Sequence, residues 1–350
     1  MEALSNAVRS ASASAGKNRC KRGHCRPNDP RHHTGTRYGG TMPQDSSRGP
    51  VTIHRLVEAT NVVVPDYTNV SFTEAQIERG AHRDFVVGLG AEWEADGRNQ
   101  LEYLRTQGLQ AQHRIVDIGC GALRAGRHFV DYLEPGRYYG IDANQSLLEI
   151  GYNRELTQGQ RDRLPVGNLR SNDRFNTDFG VQFDYAIAQS VFTHVSLNHV
   201  RLCLYRLGKV MKPGGKFYAS YFRQPPETPY DHVYTLREGG RSYLNETNIF
   251  WYHSADLEWA GTFGGWDFTF AGDYGSKQGQ EMGVFTKLTS SQLESRAKAA
   301  DRQARDAALG EERRRERAAV NAAIAGGGPK SVVLRGRRKV ARLISPYPRI

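Results

Sequence analysis

The segment IVDIGCGALRAGRHF, residues 115–129, places an aspartate just before three closely spaced glycines. Asp117 precedes Gly119 and Gly121, and a third glycine follows at position 126. Because glycine lacks a Cβ, a ligand can pack directly on the backbone, and N–H groups at the start of a following helix point toward that ligand. The pattern predicts a nucleotide-binding turn, and the acidic side chain favours a ligand with an ammonium group.

A second acidic residue has the spacing of a ribose-binding carboxylate. Asp142 ends the apolar segment RYYGID, 23 residues after Gly119, where a carboxylate can accept hydrogen bonds from both ribose hydroxyls. A helix N-cap is the structural alternative for Asp142. A dinucleotide fingerprint needs glycine where this chain has Arg124. Since Asp117 would also repel a pyrophosphate, the sequence disfavours NAD and favours S-adenosylmethionine.

A parallel sheet would bring these side chains together, and the chain alternates strand and helix patterns as such a sheet requires. Four apolar runs predict strands at residues 114–119, 137–142, 183–189 and 215–222, with a weaker strand at residues 165–169. Helices are expected between the strands and on both faces of the sheet.

Helix signals precede and follow these strands. Ser71 and Glu74 form a predicted capping box, and Gly80 is predicted to stop that short helix. A helix is expected from about Leu123, after the glycine turn. Later in the chain, SADLEWAG predicts a helix, WDFTFAG and EMGVFTKL predict strands, and the core is expected to close near Leu288.

Four motifs resemble those of the class I S-adenosylmethionine-dependent methyltransferases. VDIGCGALRAGRHF, YYGIDAN and FDYAIAQSVFTHV resemble motifs one, two and four, and KVMKPGGKFYASYF resembles the glycine turn that follows. The resemblance covers roughly residues 80–288, with its specific motifs in residues 114–222. It implies a Rossmann-like doubly wound α/β sheet, mostly parallel, with one antiparallel strand near the C-terminal end of the core, and S-adenosyl-L-methionine as cofactor.

The resemblance also implies cofactor-binding residues. Asp117 would lie near the methionine amino group, Gly119 and Gly121 beneath the cofactor, and Asp142 at the ribose. The complete predicted set is Asp117, Gly119, Cys120, Gly121, Asp142, Ala143, Asn172, Asp173 and Gln189.

The predicted transfer site lies near the ends of the third and fourth strands. By the resemblance, Asn172 or Asp173 would reach the adenine amino group, and Gln189 would border the methionine and the transfer site. A hydroxyl acceptor needs a base that removes its proton during the in-line displacement. His194 and His253 are the candidates, because a neutral histidine accepts a proton near pH 7. For His194, packing against or capping the next helix is the alternative. No metal is predicted.

The end of the fourth strand favours oxygen as the acceptor atom. Its sequence AQSV lacks the Asn/Asp-Pro-Pro-aromatic turn of family members that methylate amino groups of bases. The sequence thus favours O-methylation of a small molecule or a glycan precursor. The alternatives are an RNA or protein methyltransferase, an NAD(P)-dependent reductase, and a non-catalytic protein that binds anionic surfaces through its tails.

The net charge of +11 is concentrated at the two ends of the chain. Residues 1–50 hold nine basic and three acidic residues, and residues 290–350 hold fifteen and six, so the remainder is acidic overall. We predict a disordered basic tail over residues 1–50, a helical lead-in over residues 51–110, a class I methyltransferase domain over residues 111–289, and a charged helix with a basic tail over residues 290–350.

The ends of the chain also bear on location and partners. The final SVVLRGRRKVARLI is a candidate for weak binding to anionic surfaces. CKRGHC in the N-terminal tail lacks a second ligand pair at zinc-finger spacing. No apolar run has membrane-spanning length, and the first twenty residues lack the apolar region typical of a secretory signal. The four cysteines are too few for a disulfide framework. A cytoplasmic location is therefore expected.

Overall fold

The structure is a computed structural model that describes residues 67–87, 92–229, 231–235, 242–245, 247 and 249–325. The predictions made for residues 1–50 and for the basic tail beyond residue 325 lie outside these residues. So does the part of the predicted lead-in that precedes residue 67.

An eight-stranded sheet organises the chain. Its strands are β1 (Ile115–Ile118), β2 (Tyr138–Asp142), β3 (Leu169–Ser171), β4 (Phe183–Ala188), β5 (Met211–Arg223), β8 (Trp251–Tyr252), β9 (Trp266–Asp273) and β10 (Glu281–Lys287), and β6 (Val233–Thr235) and β7 (Ser242–Leu244) form a separate hairpin. The order is β3-β2-β1-β4-β5-β10-β9, with β8 paired to β5. Within the described sheet, β10 alone points in the direction opposite to the other strands, so the predicted fold class is confirmed.

Helices cover both faces of the sheet. They are α1 (Glu74–Glu78), α2 (Ala81–Val87), α3 (Trp93–Thr106), α4 (Gly126–Tyr132), α5 (Gln145–Ile150), α6 (Gln158–Arg163), α7 (Leu197–Leu207), α8 (Ser254–Thr262) and α9 (Ser290–Ala325), with a π-helical turn at Gly151–Glu155. Leu204 of α7 and Leu257 of α8 join one apolar core, and Leu104 of α3 and Phe129 of α4 join the other. Successive side chains of β1 alternate between the two cores, as a two-faced sheet requires.

The first capping box lies two residues later than predicted. Thr73 is the N-cap of α1, its N–H donates to Gln76 Oε1 at 2.8 Å, and its hydroxyl accepts from the Gln76 N–H at 3.4 Å. The prediction of Ser71 with Glu74 was wrong because the same residue spacing occurs twice and the helix starts at Glu74. Gly80 follows the helix with φ 81°, as expected for a stop signal.

Three other boundaries differ from the predictions. The helix after the glycine turn begins at Gly126 rather than near Leu123, because Leu123 has φ 61°, which a right-handed helix cannot include. The Leu123 side chain is fully buried, and this burial offsets the cost of the left-handed backbone. The weak strand lies at β3, after a short 3₁₀ turn, and β5 begins at Met211, before the predicted start.

The predicted charged helix is present as α9. It is exposed along nearly its whole length, in keeping with a composition that supports helices through charge pairs and high helix propensity. Arg296 forms an ion pair with Asp267 of β9 and so ties the first turns of α9 to the sheet. In the described part of the chain, no helix combines the length and the apolar character needed to cross a membrane.

Candidate functional site

The glycine turn lies at the carboxyl edge of the sheet, between β1 and α4. The N–H groups of Gly119 and Cys120 both donate to the Ile141 carbonyl, at 2.8 and 3.1 Å, which fixes the turn against the end of β2. Gly119 and Gly121 have φ values of 71° and 54°. A Cβ on Gly119 would lie 2.4 Å from Val191 Cγ2. Glycine is therefore required there by backbone conformation and by packing against the chain after β4.

The Asp142 carboxylate joins the glycine turn to the end of β2. Its Oδ2 accepts a hydrogen bond from the Gly121 N–H at 2.8 Å, and its Oδ1 accepts from the Asn144 N–H at 2.7 Å. Burial raises the pKa of Asp142, and these two hydrogen bonds oppose that rise. The N-cap of α5 is Asn144, whose side chain accepts from the Leu147 N–H at 3.1 Å. The N-cap alternative for Asp142 is therefore wrong.

Asp117 is buried within the sheet, with 2% of its surface exposed. Its Oδ2 accepts a hydrogen bond from the Tyr138 hydroxyl at 2.9 Å. Burial raises the pKa of Asp117 to about 7; the Tyr138 hydroxyl and Arg124 oppose this rise, and the nearby Asp142 adds to it. The carboxyl is thus poised to change charge near neutral pH.

Arg124 is a site residue whose role the sequence analysis missed. Its side chain is 11% exposed, and its Nη1 lies 3.8 Å from Asp96 Oδ2, beyond hydrogen-bond distance. Burial lowers the pKa of Arg124, while Asp96, Tyr274 and Asp117 oppose this shift. Arg124 lines a pocket with Asp96, Asn99, Gln100, Gln189, Ser190 and residues 274–278. The pocket is therefore lined by a largely buried cation whose ion pair with Asp96 is long. The signal for it in the sequence was a basic residue in place of the fingerprint glycine.

Gln189 borders this pocket at the end of β4. Its Nε2 donates to the Tyr274 hydroxyl, which fixes the orientation of the carboxamide. Its Oε1 is buried and accepts no hydrogen bond from any described residue. An unpaired buried acceptor is costly, so the carboxamide is suited to meet a donor on a ligand.

The predicted adenine residues lie next to Asp142 in the fold. The Asn172 N–H donates to the Asp142 carbonyl at 2.9 Å, and the Asn172 side chain accepts from the Asn176 N–H at 2.7 Å. Ala143 follows Asp142 and is half-buried, whereas Asp173 is exposed. The structure thus groups Asn172, Ala143 and Asp142, with Asp173 on the solvent side of the group.

The two predicted histidine bases occupy different surroundings. His194 ends the 3₁₀ turn after β4, is half-buried, and has its ring centroid 4.4 Å from that of Tyr67. His253 is the N-cap of α8, and its Nδ1 lies 3.0 Å from the Gln224 carbonyl oxygen. A carbonyl only accepts, so Nδ1 of His253 carries the proton and Nε2 is the basic nitrogen.

The segment before α1 and the helix α2 pack at the carboxyl edge of the sheet. Asn144, which is 1% exposed, donates from Nδ2 to the carbonyls of Tyr67 and Val70 at 3.0 and 2.8 Å. Val86 of α2 lies 3.4 Å from the position that a Cβ on Gly121 would occupy. This N-terminal part therefore packs against the glycine turn and the end of β2.

A partly buried ion cluster, formed by His82, Arg83 and Glu155, holds α2 in place. The Glu155 carboxylate accepts from His82 Nε2 at 2.6 Å and from Arg83 Nε at 2.8 Å. Although burial raises the pKa of Glu155, the hydrogen bonds from His82 and Arg83 lower it below its ordinary value. The cluster fixes α2 against the π-helical turn, whose Gly151 packs closely on the glycine turn at Ala122.

Residues 116–217 match a family model described as a methyltransferase domain. This segment contains the glycine turn, Asp142 and the strands β4 and β5 up to residue 217. This match agrees with the predicted family, the class I S-adenosylmethionine-dependent methyltransferases. The class uses S-adenosylmethionine as methyl donor.

Several solved structures are similar to the chain. DesVI from Streptomyces venezuelae shares 16% identity over 62% of this chain and 100% of its own, with a TM-score of 0.42. CalS10 is an amino pentose methyltransferase from Micromonospora echinaspora solved with S-adenosylmethionine. It shares 17% identity over 64% of this chain and 100% of its own, with a TM-score of 0.43. The sugar N-methyltransferase KedS8 from Streptoalloteichus shares 14% identity over 67% of this chain and 100% of its own, with a TM-score of 0.42. Likeness at this level carries no argument about the acceptor.

Proposed function

We propose that the chain transfers the methyl group of S-adenosylmethionine to a hydroxyl of a small molecule or glycan precursor, through residues 111–289. The observation that carries the cofactor assignment is that the buried Asp117 and the largely buried Arg124 flank the glycine turn, one before Gly119 and the other after Gly121. The amino-acid end of S-adenosylmethionine carries an ammonium and a carboxylate, which match these two charges. A pyrophosphate would bring its negative charge near Asp117 and Asp142 instead.

The other predicted residues would hold the rest of the cofactor. Asp142 is proposed for the ribose hydroxyls, because each of its oxygens retains a lone pair beyond the one used by a backbone N–H. Asn172, next to Asp142, is proposed for the adenine amino group, with Asp173 as the alternative. Gln189 would place its unpaired Oε1 at the methionine end. Gly119, Cys120, Gly121 and Ala143 would contribute backbone.

The transfer step breaks one bond and forms one. An acceptor oxygen attacks the methyl carbon, the carbon–sulfur bond breaks, and S-adenosylhomocysteine leaves while a base takes the hydroxyl proton. His253 is suited to that step because the Gln224 carbonyl holds its proton on Nδ1 and leaves Nε2 basic. His194 is the other candidate. Burial raises the pKa of its neighbour Tyr67 to about 12, so that phenol stays a neutral hydrogen-bond donor.

Transfer of a labelled methyl group tests the acceptor. The protein would be incubated with methyl-labelled S-adenosylmethionine and a panel of hydroxylated metabolites, glycan precursors and amines, with RNA and protein as separate arms. The proposal predicts label on oxygen of a small acceptor, with loss of rate in His253→Ala or His194→Ala but little change in cofactor affinity. Label found only on nitrogen, or only on RNA or protein, would reject O-methylation of a small molecule.

A further inference from the structure

Ser190, directly after β4, has a backbone conformation that serine rarely adopts. Its φ is 57°, in the left-handed region that favours glycine. Non-glycine residues persist there only when their surroundings determine the conformation, and they are frequent at functional sites. Ser190 also lines the pocket that contains Arg124.

A closed ring of three hydrogen bonds holds this conformation. The Ser190 N–H donates to Ser220 Oγ at 2.7 Å, the Ser220 hydroxyl donates to Gln280 Oε1 at 2.6 Å, and Gln280 Nε2 donates to Ser190 Oγ at 2.9 Å. Ser220 is 0% exposed and Gln280 is 3% exposed. Since water cannot replace these buried bonds, the ring strongly favours a single backbone conformation at Ser190.

The residues on either side of Ser190 contact the pocket and the glycine turn. Gln189 precedes it and lines the same pocket, and the Oε1 atom of Gln189 is buried and accepts no hydrogen bond from a described residue. Val191 follows it and packs against Gly119, as shown by the 2.4 Å separation between Cγ2 and a Cβ placed on that glycine. A change in the backbone at Ser190 would therefore move both side chains relative to the glycine turn.

We propose that Gln280 and Ser220 are positioning residues that keep Ser190 left-handed and thereby fix Gln189 at the pocket and Val191 against the glycine turn. The consequence for cofactor binding rests on the proposed function. Gln280 lies in the loop between β9 and β10. Gln278 of the same loop donates to the Val87 carbonyl at the end of α2, at 2.9 Å, so the loop also contacts that helix. Neither Gln280 nor Ser220 touches the reacting atoms in this proposal.

The test compares Gln280→Leu, Ser190→Gly and the double variant by calorimetric titration with S-adenosylmethionine. We expect Gln280→Leu to weaken binding about 10-fold, because a residue in contact with a strained turn couples to it. The double variant should return to within about threefold of the wild type, since glycine adopts a positive φ without steric cost. Ser220→Ala provides the same comparison if Gln280→Leu does not fold.

Gln160→Leu is the matched control. Gln160 is also a buried glutamine, and it donates to Asp131 Oδ2 at 2.8 Å, away from the Ser190 turn. The Gln160→Leu substitution should lower the stability of the protein without changing its affinity for S-adenosylmethionine. Unchanged affinity in Gln280→Leu, or a loss that Ser190→Gly does not reverse, would overturn the inference.

Denaturant unfolding separates this inference from the proposed function. If the wild type binds no S-adenosylmethionine, the proposed function fails, and the ring is then judged by stability alone. Gln280→Leu should cost less stability in the Ser190→Gly background than in the wild type, because contacting residues are not additive. Additive effects would overturn the role of Gln280 at Ser190 whatever the cofactor result.

Discussion

The Tyr138 hydroxyl donates a 2.9 Å hydrogen bond to Oδ2 of Asp117, so that a residue of β2 orients the buried carboxyl of β1. The Tyr138 ring packs near Phe129 of α4, and a Cβ on Gly126 would lie 2.5 Å from its hydroxyl oxygen. The third glycine of the turn thus makes room for the tyrosine that orients Asp117. Because the Tyr138 contact leaves lone pairs on the carboxyl, Asp117 can still accept from a ligand.

Cofactor affinity should rise with pH and level off above neutrality. Burial raises the pKa of Asp117 to about 7, so the carboxyl is largely protonated below that value and cannot pair with an ammonium group. We expect the dissociation constant for S-adenosylmethionine to fall as the pH rises through about 7 and then stay constant. Calorimetric titrations of the protein with S-adenosylmethionine, at pH values below and above 7, measure this dependence. Asp117→Asn should bind weakly at every pH, and an unchanged pH profile in that variant would contradict the assignment.

The same pKa shift makes a prediction for the unliganded protein. The folded state holds a proton on Asp117 that the unfolded state releases at its ordinary pKa, so this group's stabilising effect is lost as pH rises from about 4 to about 7. Relative to wild type, Asp117→Asn should therefore gain stability over this range, because its amide cannot ionise. Thermal unfolding of both proteins at each pH provides the comparison. A constant difference between them would show that Asp117 does not titrate in this window.

Arg124 should recognise the carboxylate of the cofactor. Arg124→Met keeps an apolar stem but removes the charge, and we expect it to weaken S-adenosylmethionine binding by about 1.5 to 3 kcal/mol, the range for a hydrogen bond to a charged group. Decarboxylated S-adenosylmethionine should bind the variant and the wild type almost equally. Arg98→Met, at an exposed arginine on α3, is the control. Equal losses for both cofactors would place Arg124 away from the carboxylate.

Gly119→Ala should destabilise the fold far more than Gly136→Ala. Both glycines have positive φ, but a Cβ at Gly119 would meet Val191 whereas nothing lies within 4 Å of one at Gly136. Strain alone costs about 1 to 2 kcal/mol, and overpacking adds about 1 to 3 kcal/mol at Gly119 only. Denaturant unfolding measures the difference. Equal losses at the two positions would mean that Val191 moves aside freely.

The sequence predicted those parts of the site that depend on strand ends and local spacing. Asp117 and Asp142 lie close together because adjacent parallel strands end at one edge, and that geometry follows from the alternating pattern. The missed features depend on distant pairs. Ser190 and Gln280 are 90 positions apart, and neither residue type signals a left-handed turn. Likewise the positive φ of Leu123 is set by its burial, which no local pattern announces.

The most direct test of the account is calorimetric titration of wild type and Asp142→Ala with S-adenosylmethionine and with NAD. The account predicts that wild type binds S-adenosylmethionine but not NAD, and that Asp142→Ala loses about 1 to 3 kcal/mol of binding free energy with its ribose contact. Asp173→Ala, at an exposed position, should lose less. Binding of NAD alone, or full affinity for S-adenosylmethionine in Asp142→Ala, would contradict it.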